Sequence, residues 1–89
     1  MSDADVTLLE FPCRFPIKAM GRAAEGFDGL IVEMVRRHAP DLDQTQVSVR
    51  ESRGGNWVSV TLVIEAKSKA QLDAIYRELS AHEQVVMAL

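Results

Sequence analysis

The hydrophobic pattern of this 89-residue chain changes period in a fixed order, and that order leaves few folds open. Residues 15–20 alternate, with Phe15, Ile17 and Ala19 on one side and Lys18 and Met20 on the other. Phe27, Leu30, Ile31, Met34, Val35 and His38 follow at helical spacing, a single face that Pro40 brings to a stop. Val47 and Val49 alternate with polar residues. The Ser-Arg-Gly-Gly-Asn run at 52–56 supplies residues that tolerate positive φ, as a hairpin needs. Val58, Val60, Leu62 and Ile64 then alternate again. Leu72, Ile75, Tyr76 and Leu79 form a second helical stripe, and residues 85–89 close the pattern as a short apolar strand. Strand, helix, strand, strand, helix, strand is the split βαβ order of the ferredoxin-like fold. The prediction is an α+β two-layer sandwich: a four-stranded antiparallel sheet of order 4-1-3-2 with both helices on one face.

Local signals refine this outline. Pro16 cannot donate to a ladder, so the pattern places it at the entrance of a central strand. Gly21, Gly26 and Gly29 each weaken helix and blur the start of the first one. Ser68 and Gln71 have capping-box spacing, which marks the start of the second. Glu33–Arg37 and Asp73–Arg77 are four apart on the outer helical faces and are expected to pair. Residues 41–44 read as a loop. Val85, Met87 and Leu89 are expected to face the core. Residues 1–10 are expected to form a flexible N-terminal arm, its first seven residues acidic and aperiodic, ahead of one domain at 11–89. Leu8, Leu9 and Phe11 are apolar enough to pack on the domain edge or on a neighbouring subunit.

Composition excludes several classes of function. Apolar residues make up 47% of the chain, enough for one core. The lone Cys13 cannot close an intramolecular disulfide, which fits a reducing, cytoplasmic setting. No apolar run is long enough to span a bilayer, and the acidic start is unlike a signal peptide. A net charge of −3 disfavours a phosphate-backbone binder.

Four segments in order resemble the YbeD-like family of small uncharacterised bacterial proteins. The run from Phe11 to Gly21 (FPCRFPIKAMG) is similar to that family's opening. Arg37-His-Ala-Pro40 is similar to its helix exit, Gly55-Asn-Trp-Val-Ser-Val-Thr61 to its third strand and Ile75-Tyr-Arg-Glu-Leu79 to its second helix. The resemblance covers about residues 8–89. It implies a ferredoxin-like domain akin to the ACT-type regulatory domains of amino-acid metabolism, and it implies no catalytic residues. Trp57 stands where the family commonly has tyrosine, and Cys13 is at a variable position.

Candidate chemistry is sparse. Cys13 with His38 or His82 would be a nucleophile pair without a third group, so an incidental cysteine is the better reading. One cysteine and two distant histidines do not make a metal site, and neither metal nor cofactor is expected. His38 suits a helix C-terminus, where imidazolium meets the dipole favourably. Gly21, Arg22, Gly26 and Gly29 mark the first strand–helix turn as a candidate small-ligand site, through backbone amides at a helix start. Plain turn geometry is the simpler account. The same Gly21-Arg22 pair is a weak echo of the acylphosphatase loop.

The sheet face away from the helices would carry Lys18, Met20, Ser48, Arg50, Trp57, Ser59, Thr61 and Val63. Of these, Lys18, Met20, Arg50, Trp57, Ser59 and Thr61 are the candidate open-face or interface residues. The expected function is a non-catalytic regulatory or binding module, sensing a small metabolite or a protein partner, with a homodimer centred near Trp57. The alternative is a single-stranded RNA binder using the open face, where Trp57 would stack a base. An acylphosphatase-like enzyme comes third.

Overall fold

In the computed structural model, residues 10–89 are described. The arm expected at the N-terminus therefore lies, but for Glu10, outside the described residues, as do Leu8 and Leu9. Four strands form one antiparallel sheet: β1 (Cys13–Arg22), β2 (Val47–Glu51), β3 (Trp57–Ala66) and β4 (Met87–Ala88). Their order is β2-β3-β1-β4, the predicted 4-1-3-2 read from the other edge. Two helices, α1 (Phe27–Arg36) and α2 (Lys69–Ala81), complete the α+β ferredoxin-like sandwich.

Strand β1 is longer than its periodicity suggested, and Pro16 lies inside it, opposite Val63, rather than at its entrance. The ladder explains why this is tolerated. Lys18 donates its amide to Leu89 and accepts from Leu89 in return, so the amides at even positions of β1 point toward β4. Pairing with β4 reaches no further than Lys18. Among the described residues, the missing amide of Pro16 thus faces a stretch of edge with no partner strand, so no ladder bond is lost there.

The core lies between helices and sheet. Phe15, Ile17 and Ala19 of β1 and Val58, Val60, Leu62 and Ile64 of β3 are buried against Phe27, Ile31, Val35, Leu72, Ile75 and Leu79. In α1 the buried face includes Val32, while Leu30 is only partly covered, so the helix is rolled slightly from the predicted stripe. It also ends at Arg36, before His38.

Helix α1 starts on Gly26, whose φ of 82° is left-handed and suits glycine alone. Helix α2 starts on Ser68, which accepts from the Gln71 amide at 3.1 Å. The return half of the capping box is displaced: Gln71 accepts from the Lys67 amide and donates to the His38 carbonyl, tying α2 to the exit of α1. A capping box not read from the sequence stands at Asp43 and Gln46, around a 3₁₀ turn at Gln44–Gln46. There the Thr45 hydroxyl and amide hold the Asp43 carboxyl below its usual range.

Two expectations are corrected. Asp73 pairs with Lys69, one turn before it, at 3.0 Å, and not with Arg77, one turn after it. In the last strand, register puts Ala88 beside buried Ala19 and Met87 beside Met20. Met87 and Leu89 therefore lie on the open face, 49% and 61% exposed, while Val85 and Ala88 pack toward the core. The alternation is real, but the apolar spacing gave the wrong phase because both faces of β4 are apolar. Register alone resolves it.

Candidate functional site: the open sheet face

The exposed face is built by the outward residues of all four strands. The β1–β3 register aligns Lys18 with Thr61, Met20 with Ser59, and Arg22 with Trp57. Strand β2 adds Ser48 beside Thr61 and Arg50 beside Ser59. Strand β4 adds Met87 beside Met20. One row across the sheet therefore reads Arg50, Ser59, Met20, Met87, and the next reads Ser48, Thr61, Lys18, Leu89. All six residues predicted for this face stand on it.

Trp57 anchors one end. The hairpin before it turns on Gly54 and Gly55, both at positive φ, and Ser52 accepts from the Trp57 amide. The indole is 41% exposed, and the Arg22 guanidinium carbon sits 5.2 Å from its ring centroid. A shallow groove of about 190 Å³ runs beside it, lined by Met20, Arg50, Glu51, Trp57 and Ser59 among others.

Charge is segregated on this surface. Arg14, Lys18, Arg22 and Arg50 all stand on the open face, and none makes an ion pair among the described residues. Glu65, opposite Arg14 in the register, is the one carboxylate on the outward rows of β1 and β3. The chain as a whole is acidic. Elsewhere Arg37 pairs with Glu33 and Glu78, Lys67 with Asp41 and Lys69 with Asp73, while Arg36, Arg53 and Arg77 make no ion pair among the described residues. His38 shares Glu78 with Arg37 from beyond the helix end, so its partner is a carboxylate of α2.

The first strand–helix turn looks different. Arg22 belongs to β1 and leans over Trp57, away from the helix start. Gly21 is demanded by packing: a β-carbon there would lie 2.7 Å from the Phe27 ring and collide with the Gln84 carbonyl. Gly26 supplies the left-handed cap of α1. Gly29 faces open space and lines a groove of about 600 Å³ between α1 and β2, with Val32, Arg36 and Val49. That groove exists because β2 is short and the helices do not reach over it, leaving Val49 48% exposed. Asp28 lies in the first helical turn, so the helix start is already provided with an anion of its own.

Sequence reasoning missed Arg14, Arg22, Met87 and Leu89 on the open face. Extending the alternation of β1 by two residues at each end would have found both arginines. The β4 pair needed the register.

Cys13 is partly buried at the start of β1. Among the described residues, no three of His, Cys, Asp and Glu gather as metal ligands would. No described helix is long and apolar enough to cross a membrane.

Comparison with known proteins finds full-length relatives but supplies no chemistry. A family model described as "Protein of unknown function (DUF493)" matches residues 6–89. A UPF0250 protein of Ectopseudomonas mendocina is 49% identical over 92 residues, covering both chains in full. A UPF0250 protein of Chromobacterium violaceum is 48% identical over 89 residues, again covering both completely. The UPF0250 protein NE1487 of Nitrosomonas europaea is 45% identical over 83 residues, 93% of this chain and 95% of its own.

Proposed function

Because this chain belongs to the DUF493 family of bacterial proteins, whose description assigns no activity, we propose a function from its own surfaces: a non-catalytic binding module that works through the open face of its sheet. The observation that carries this is the charge segregation. Among the described residues, four cations without ion-pair partners share the open face of an acidic chain, with one carboxylate on the outward rows of β1 and β3, around an exposed indole and the exposed Met87 and Leu89 of β4. Unpaired cations gathered on one side raise the local potential and attract an anionic partner. Exposed apolar patches of this kind mark binding surfaces.

The same observation weighs against a dimer made by packing two open faces together. An isologous contact would set Lys18 and Arg50 of one copy among the like charges of the other, with one carboxylate per face to offset them. The single-stranded RNA alternative has the charge but lacks a second stacking platform, since Trp57 is the only aromatic on the face. The acylphosphatase-like reading loses support because Arg22 points over Trp57 instead of into the turn.

A second reading places a small metabolite in the groove between α1 and β2. Its size and its mixed lining of Asp28, Glu33, Arg36 and Arg37 favour a zwitterionic ligand.

A photo-crosslinking residue at Ser59, compared with one at Arg77 on the outer face of α2, tests the principal reading in the bacterium that makes the protein. A discrete adduct from position 59 and none from 77 is expected. Adducts from both, or from neither, would sink it, and a small molecule co-purifying with an adduct-free protein would favour the groove.

A further inference from the structure

Resting on the reading of the open face as the working surface, we propose that its occupant is an acidic amphipathic helix of another protein. The rows of the sheet supply the reasoning. Met20, Met87 and Leu89 form one apolar island on the β1–β4 half of the face. Adjacent strands are about 4.8 Å apart and alternate residues on one strand about 6.6 Å apart, so the island measures roughly 10 Å across. That is the width of one α-helix.

Cations border the island on several sides. Lys18 and Arg22 flank Met20 along β1, one on each side, and Arg50 lies two strands away in the same row. Arg14 extends the basic border toward the far end of β1. An apolar stripe flanked by carboxylates fits this pattern, leucines or similar side chains on the methionines and Glu or Asp against the guanidinium and ammonium groups. Methionine suits the task because its unbranched thioether repacks around different apolar shapes.

The architecture points the same way. A sheet of this kind buries one face under helices and leaves the other to water. Here the wet face keeps an apolar island, and a helix laid on it would add a third layer of the same type as the two already present. The hydroxyls of Ser59 and Thr61 occupy the β2–β3 half, leaving a polar track on which the outer edge of such a helix would rest.

Nucleic acid is the competing anion. Phosphate contacts would use the same cations, but bases would need flat platforms where the face offers thioethers, and the one indole already carries Arg22 on its ring.

Trp57 is the one tryptophan of the chain, so its fluorescence reports the face directly. The probes are a synthetic amphipathic helix with a leucine stripe flanked by glutamates, the same peptide with every glutamate replaced by lysine, and a twelve-residue oligouridylate. The acidic peptide is expected to bind saturably, to shift the Trp57 emission and to weaken as salt rises. Lys18→Glu with Arg50→Glu is expected to lower its affinity at least tenfold while leaving the urea midpoint in place. The lysine peptide is expected not to bind.

Equal binding of the two peptides, or no binding of the acidic one, would overturn the proposal. Oligouridylate binding tighter than the acidic peptide, with the same Trp57 shift, would overturn the helix while leaving the open face as the site. Silence from all three probes together with a Ser59 adduct in cells would likewise reject the acidic helix alone.

Discussion

The two faces of this sheet are made by the same strands, one residue out of step, and they obey different rules. On the helix side, Ile17, Val60 and Leu62 are wholly buried, and no polar or charged residue among the described ones is buried with them. On the open side, Lys18, Ser59 and Thr61 are their immediate neighbours in sequence, and four cations with no ion pair among the described residues share the face with an apolar island. The inner face is fixed by packing, so nearly every residue there has one job. The outer face is free of that constraint, so what it carries is informative about what the protein meets. A buried leucine says that a core exists. Uncompensated charge beside exposed methionine says something about a partner.

The widest separation between the faces is expected from truncating neighbours. Leu62→Ala should cost about 2–5 kcal/mol, since the cavity it leaves is enclosed by helix and sheet. Thr61→Ala, one residue along, should stay within about 0.5 kcal/mol. Urea melts of the two variants check this, and comparable losses would mean that the open face is structurally committed after all.

A smaller effect tests whether the first strand–helix turn belongs with the packed side. Gly21→Ala would force a methyl toward the Phe27 ring and the Gln84 carbonyl, at a cost of about 1–3 kcal/mol. Gly29→Ala, which meets nothing, should instead be neutral or slightly stabilising by helix propensity. A thermal melt showing Gly21→Ala unchanged would return that glycine to the list of ligand-binding candidates.

The smallest effect concerns Tyr76, the one place where the inner side harbours an unsatisfied polar atom among the described residues. Its ring meets Phe15 edge-on at 6.5 Å, and its hydroxyl is buried without a partner. Tyr76→Phe should range from neutral to about 1 kcal/mol more stable, since an unbonded hydroxyl gains nothing by burial. Burial also raises the phenol pKa above its usual value. The folded state therefore favours the protonated ring. That contribution is complete below about pH 10, where the unfolded phenol titrates, and is lost as pH rises through the folded value. The stability of Tyr76→Phe, followed by alkaline denaturation, should lack this component; parallel curves for the two proteins would mean that the phenol is open to water in the folded state.

The fold was legible because its signals are local and repeat. The alternation of β3 survives without exception from Val58 to Ile64, and the glycine pair at 54–55 has the positive φ that the hairpin needs. Errors arose where a decision depended on a distant partner. Nothing near Met87 in sequence reveals that Ala88, not Met87, sits beside Ala19. Nothing near Pro16 reveals that no described strand pairs with the edge beside it. The candidate site follows the same division. Its six central residues came from alternation alone, whereas the basic border and the β4 half of the island depended on strand extent and register. The chemistry of the occupant was least legible, because charge segregation is a property of the folded surface and disappears in a net charge of −3.

The position of β1 has a consequence for how the molecule is made. It is the first of the four described strands in chain order, yet it occupies the interior of the sheet between β3 and β4. Its nearest β3 partner, Trp57 opposite Arg22, comes 35 residues later (57 − 22), and its furthest, Ala66 opposite Cys13, comes 53 later (66 − 13). Until then the strand exposes both edges and an apolar face, a state in which nascent chains on one messenger could pair with each other. Arg14, Pro16, Lys18 and Arg22 alternate along that strand, three charges and a missing donor, and such residues are the ones that discourage pairing between unfinished copies. The residues proposed to meet a partner in the mature protein are thus also the ones suited to guard β1 during the interval before its own neighbours exist.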